Sequence, residues 1–155
     1  MEHKESKLQI QCVTWFAYEY PFLRMLLYHP KNEGGHGRVR GAISKAEGVV
    51  AGVADLILQL SDSLGHTCLA IEMKSACGRQ SKEQKSFELY LSAAGGKYMI
   101  VRSFDEFKKA VMLYVNNVAE DIMRRLRELY REQQIEETNI AREKLRRITL
   151  TDIIN

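Results

Sequence analysis

Asp55, Glu72 and Lys74 are the residues whose types and spacing could do chemistry. Glu72 and Lys74 stand two apart in the run LAIEMK, so the two-residue period of a strand sets both on one face, with Ile71 and Met73 on the other. Asp55 lies in VADLILQL, an apolar segment joined to TCLAIEMK by the turn-rich SDSLGH. An antiparallel hairpin is the natural reading, and its pairing can bring the Asp55 carboxylate beside Glu72. Two neighbouring carboxylates resist joint ionisation without a compensating cation, and oxygen ligands suit Mg2+ or Mn2+. A divalent-metal site is therefore expected. Such a metal polarises a phosphodiester and lowers the pKa of a bound water, while a lysine ammonium orients that water or stabilises the developing charge. An ordinary cross-strand pair on a half-exposed sheet would contain the same residues, and Glu-x-Lys alone is common by chance.

Several elements must position these groups. Leu8, Cys12, Trp15 and Phe16, spaced by three and four within Glu5 to Tyr18, predict a first helix that Pro21 closes. The run FLRMLLY is too short for periodicity to separate strand from helix. Residues 31–52 hold six of the ten glycines and read as a basic loop with a turn or two of helix around Val39 to Ala46. Ser81 and Gln84 match a capping box that opens a second helix, with Phe87, Leu91 and Ala94 as its apolar face and Gly95-Gly96 as its end. KYMIVR is expected as a short buried strand. Ser103 and Glu106 repeat the capping box before one long helix, with Phe104, Phe107, Val111, Tyr114, Val118, Ile122, Leu126 and Leu129 in register. The length and apolar stripe of this helix exceed what a small core needs and suggest a homodimer interface.

The ordered segments VAGVADLIL, LAIEMK, GRQSKEQ and YMIVRSFDEF resemble the VRR-NUC (virus-type replication-repair nuclease) family of the PD-(D/E)xK nuclease superfamily, as a small stand-alone, phage-type member. The match runs from about Glu5 to Phe107, with Asp55, Glu72 and Lys74 on the acid, acid and lysine of the superfamily signature. Ala54 stands where that signature has proline, a position that shapes a turn and supplies no ligand. The resemblance implies an α/β, restriction-endonuclease-like mixed sheet with an αβββαβ core over residues 1–107 and a C-terminal helical extension over 108–155, for dimerisation or DNA contact. It favours a strand at Leu26 to His29. It places Gln84 at the site after the catalytic lysine and Glu5 as the helix-one glutamate that completes the metal shell, with Glu19 as competitor. Asn32, Gly34 and Gly35 resemble the family's Asn-Gly-Gly segment, interrupted here by Glu33. The implied activity is metal-dependent, structure-specific DNA cleavage, of the Holliday-junction resolvase kind, by a homodimer in replication, recombination or repair.

Lys31, Arg38, Arg40, Lys45, Arg79, Lys82 and Lys85 flank the site in sequence and would contact DNA phosphates without reading bases; Asn32 and Ser81 join them as DNA-binding candidates. Branched or otherwise structured DNA is the expected partner. A non-catalytic DNA-binding or assembly module is the alternative, against which the intact Asp, Glu and Lys argue. A sequence-specific restriction-like enzyme is a third reading, and no segment for major-groove base contacts is apparent.

The 155 residues suit one domain at ordinary globular levels of 45% hydrophobic and 28% charged residues. The absence of GxxxxGK disfavours a nucleotide cofactor. Cys12, Cys68 and Cys77 form no CxxC, and His3, His29, His36 and His66 have no metal-ligand spacing, so a disulfide framework and a zinc site are both disfavoured. The polar N-terminus and the lack of a long apolar run lead to the expectation of an intracellular, cytoplasmic protein with no membrane partner. The net charge of +3 arises wholly in residues 78–155, where fifteen basic residues face twelve acidic ones, against eight and eight before them.

Overall fold

Cys12 and Phe16 lie one turn apart on the first helix, α1 (Glu2–Glu19), and both are fully buried. Trp15 beside them meets Tyr20, Phe104 and Phe107 edge-on, with ring centroids 5.9, 6.2 and 6.0 Å away. This aromatic cluster joins α1 to α4 (Phe104–Val115), whose Phe107, Ala110, Val111, Tyr114 and Val115 are buried. These contacts come from a computed structural model that describes residues 2–30 and 38–154, with side chains described over 5–30 and 42–144.

After α1, Pro21–Leu26 forms a 3-10 turn and only Leu27–Tyr28 is strand, β1, so the strand expected over Leu26 to His29 is shorter than the resemblance implied. Helix α2 (Arg38–Ala46) follows, then β2 (Leu56–Leu58), β3 (Leu69–Met73), α3 (Lys82–Ala93) and β4 (Lys97–Val101). The sheet order is β1-β2-β3-β4; the first three strands pair antiparallel and β4 joins β3 in parallel. A parallel neighbour needs a crossover, which α3 supplies. The α/β, restriction-endonuclease-like mixed sheet expected from the sequence is thus the observed fold.

Register explains why one face of this sheet is apolar and the other carries chemistry. Leu27 pairs Leu58, Leu56 pairs Ile71, and Met73 pairs Val101, so these side chains and Leu69 share one face, and all are at most 2% exposed. Helices α1 and α4 cover it. Glu72, Ala70 and Tyr98 point to the other face, where Phe87 of α3 meets the Tyr98 ring at 6.3 Å. Strand β3 is therefore buried on both sides. Strand β4 is an edge, and only Val101 in it is buried, so the short buried strand read from KYMIVR is a strand, but a half-buried one. The α3 face formed by Phe87 and Leu91 is likewise half-buried, with Ala94 exposed.

The single long helix expected from Phe104 through Leu129 is two helices, α4 and α5 (Glu120–Ile154). Asn117 turns its side-chain amide onto the Leu113 carbonyl at 2.7 Å and ends α4, although the apolar spacing runs on through the break. Residues 1–118 form one compact unit and residues 119–155 a second, so α4 belongs to the first. In α5, Arg127 meets Glu120 at 2.8 Å, and residues 131–144 are exposed throughout. Among the described residues, no helix is long and apolar enough to cross a membrane.

Tyr114 joins α4 to the segment after β2, its buried hydroxyl donating to the Leu60 carbonyl at 2.6 Å. Phenylalanine would fill the same ring volume but leave that carbonyl unsatisfied, so Tyr114→Phe is expected to cost about 1–3 kcal/mol. Urea unfolding checks this through a lower midpoint at unchanged slope.

Candidate functional site

The β2–β3 register sets Leu56 opposite Ile71, and one further step brings Asp55 opposite Glu72. Asp55 stands just before β2, and its Oδ2 accepts the Met73 N–H at 2.7 Å. Among the described residues, Asp55 Oδ1 has no hydrogen-bond partner. Glu72 lies inside β3 at 1% exposure, a deep position for a carboxylate. Three side chains compensate it. Lys74 Nζ is 2.8 Å from Oε1, Gln84 Nε2 donates to the same oxygen, and Tyr98 OH donates to Oε2 at 3.2 Å.

Gln84 makes hydrogen bonds in two directions. Its Oε1 accepts the Ser81 N–H at 2.9 Å while Ser81 Oγ accepts the Gln84 N–H at 3.2 Å, which is the capping box. Its amide nitrogen meanwhile faces Glu72, so the cap of α3 is also a wall of the site. The second capping box is only half formed: Ser103 Oγ accepts the Glu106 N–H, but Glu106 reaches back to Arg102 N–H at 2.7 Å instead of to the cap residue.

Burial pushes the Glu72 carboxyl above the usual carboxylate range; the Lys74 hydrogen bond opposes that push and the Asp55 charge adds to it. Asp55 is raised for the same first reason, with the Met73 N–H, Lys74 and His29 favouring its ionised form and the Glu5 charge opposing it. Burial therefore disfavours the ionised form of both groups.

Glu5 does reach this end of the sheet, where its Oε1 accepts the Ser75 N–H at 2.8 Å. Glu19, at the opposite end of α1, is exposed. Among the described residues, no group of three or more His, Cys, Asp and Glu side chains is set to hold a metal ion. Two carboxylates are nevertheless a donor set that fits Mg2+, which takes one or two protein carboxylates and fills its remaining positions with water and phosphate oxygens. Each carboxylate keeps lone pairs beyond the bonds described.

The residues that sequence reasoning missed are Tyr98, His29 and Arg102. His29 Nδ1 lies 2.6 Å from the Asp55 carbonyl oxygen, and Arg102 donates to the Ser75 and Gly78 carbonyls. Of the DNA-contact candidates, Lys45, Arg79, Ser81, Lys82 and Lys85 are exposed. The Ser81 hydroxyl is already engaged in the cap of α3. Arg38 and Arg40 stand on α2, with side chains outside the described residues, as are Lys31, Asn32, Gly34 and Gly35 altogether.

Gly52 links the α2–β2 connection to the site. At φ +84° it adopts a backbone region that L side chains rarely enter, and a Cβ there would lie 2.3 Å from the Glu83 carbonyl carbon and 2.6 Å from Gln84 N. The chain ahead of Asp55 therefore presses directly on the first turn of α3.

No protein-family model and no curated protein matches this sequence. Among solved structures, one named "VRR_NUC domain protein" superposes with a TM-score of 0.64 over 74% of this chain and 89% of its own, at 20% identity. This chain has that fold. Asp55, Glu72, Lys74 and Gln84 gather at the C-terminal end of β3.

Proposed function

We propose that the protein is a divalent-metal-dependent DNA endonuclease that hydrolyses phosphodiester bonds. The observation that carries this reading is Lys74 held 2.8 Å from the buried Glu72 carboxylate, with Asp55 opposite in the register and one of its oxygens unpartnered. The name of the structural neighbour supports the same class of chemistry. A bound Mg2+ or Mn2+ supplies charge stabilisation at the phosphoryl oxygens and acidifies water. Asp55 and Glu72 would hold it. Lys74, fixed by Glu72, orients the attacking water and offsets charge on the phosphorane. Gln84 and Tyr98 keep the Glu72 oxygens aimed.

The substrate we assign is branched or otherwise structured DNA, cut by a homodimer in the manner of a Holliday-junction resolvase. Exposed Lys45, Arg79, Lys82 and Lys85 support phosphate contacts without base readout. Exposed Leu129, Ile135 and Ile140 on α5 support an association surface. Labelled four-way junction, flap and duplex DNA, each incubated with Mg2+, Mn2+ or EDTA, tests the assignment. Cleavage with metal, fastest on a branched substrate, is expected. Binding without cleavage of any substrate in either metal would replace this reading with the non-catalytic module.

The raised carboxyl groups also set a stability signature. A folded state that binds protons more tightly than the unfolded chain loses stability as pH rises from the ordinary carboxylate range through the raised values. Without metal, the melting midpoint should therefore fall slightly across that window. With metal the trend reverses, because a cation binds only the ionised pair; at tenfold its dissociation constant it adds about 1.4 kcal/mol. Differential scanning fluorimetry with Mn2+ at about pH 7.5 and about pH 4.5 is expected to show a rise at the higher pH alone.

A further inference from the structure

Resting on that nuclease reading, we propose that Arg102 and Glu5 are positioning residues that clamp the turn after Lys74 from two sides and so fix the lysine. Ser75 is held at both poles of its backbone. Its N–H donates to Glu5 Oε1 at 2.8 Å, and its carbonyl accepts from Arg102 Nη1 at 2.9 Å. The same guanidinium nitrogen reaches the Gly78 carbonyl at 3.0 Å, and Gly78 N–H closes the turn onto the Ser75 carbonyl at 2.9 Å. A carboxylate on an N–H and a guanidinium on carbonyls are charge-assisted bonds, stronger than neutral ones.

Arg102 is exposed and forms no ion pair among the described residues, so its charge serves the turn. It is itself anchored, because its N–H donates to Glu106 Oε2 at the start of α4 and the neighbouring Val101 carbonyl accepts the Lys74 N–H at 2.9 Å. The turn wraps closely on the lysine stem: a Cβ at Gly78 would lie 2.9 Å from Ser75 Oγ and 3.3 Å from Lys74 Cδ. Rotation of the Ser75 peptide would carry Lys74 with it. Glu5 thus acts on backbone, through Ser75.

Two measurements on the full chain separate this role from others. In Glu5→Ala and Arg102→Ala, kcat for DNA cleavage should fall roughly 10- to 100-fold with KM within about threefold, as expected for a misplaced reacting group. Amide exchange at Ser75 in Glu5→Ala, and at Gly78 in Arg102→Ala, should quicken about tenfold or more while melting midpoints stay within a few degrees. Glu5→Gln keeps an accepting oxygen and should restore both the Ser75 protection and most of the lost kcat; Arg102→Gln, with fewer donors, should fall between arginine and alanine. The clamp is overturned if Ser75 and Gly78 exchange is unchanged in the alanine variants, or if Glu5→Gln stays as slow as Glu5→Ala with Ser75 still protected. Were the wild type to cut no DNA, the nuclease reading would fall, and exchange alone would decide the clamp.

Discussion

Lys74→Ala is expected to lower the DNA cleavage rate about 10²- to 10³-fold, the usual cost of removing one preorganised charge-stabilising group. The same change costs stability, because Glu72, 1% exposed, loses its cation and keeps only Gln84 and Tyr98. Glu72 then takes up a proton more readily, which limits the loss to about 1–3 kcal/mol. Lysine also favours the ionised forms of both Asp55 and Glu72, so its removal raises both further. The acidic limb of the pH–rate profile should consequently move to higher pH in the variant. Lys74→Arg retains the charge with a different reach, so it should recover stability more fully than rate. Single-turnover kinetics across pH, with denaturant unfolding of the same variants, measures both effects.

Gly52→Ala is expected to be the most damaging added methyl group among the described glycines. Gly48 and Gly52 both have positive φ, +93° and +84°, but a Cβ at Gly48 meets nothing within 4 Å. Gly48→Ala therefore reports backbone strain alone, about 1 kcal/mol. At Gly52 the same strain is joined by overlap with the Glu83–Gln84 peptide, which is helix backbone and cannot swing away. The loss there should reach about 2–4 kcal/mol. Relief by shifting α3 would pull Gln84 from Glu72, so activity should fall about tenfold or more even where the protein stays folded. Thermal unfolding and cleavage of the two variants side by side provide the check.

What could be read from the sequence follows the range of the interactions involved. The juxtaposition of Asp55, Glu72 and Lys74 is legible because strand alternation and hairpin pairing are local rules, and the Leu56–Ile71 register obeys them, whereas their assignment as a site comes from the family resemblance. The Ser81–Gln84 cap was legible for the same reason. The second bond of Gln84, to Glu72, was anticipated only through the family resemblance, since no local pattern aims a cap side chain across to a strand. Tyr98, Arg102 and His29 were not legible, because the parallel pairing of β3 with β4 and the pairing of β1 with β2 leave no spacing signal. The break between α4 and α5 was missed because apolar periodicity continues through Val118 and Ile122 while Asn117 terminates the helix by a side-chain bond. Glu5 was found by resemblance, but its hydrogen bond to a residue 70 positions away is a property of the fold alone.

The most direct test of the central claim is the rate of four-way-junction cleavage by the wild type and by Asp55→Asn at saturating Mg2+. The substitution is isosteric, keeps an oxygen able to accept the Met73 N–H, and removes one charge from a pair that burial already disfavours. The metal-free melting midpoint should therefore be unchanged or raised. Cleavage should fall about 10²- to 10⁴-fold with the loss of a metal-holding carboxylate. Asp55→Asn protein that remains folded and cuts the junction at the wild-type rate in Mg2+ would contradict the assignment of Asp55, Glu72 and Lys74 as the active site.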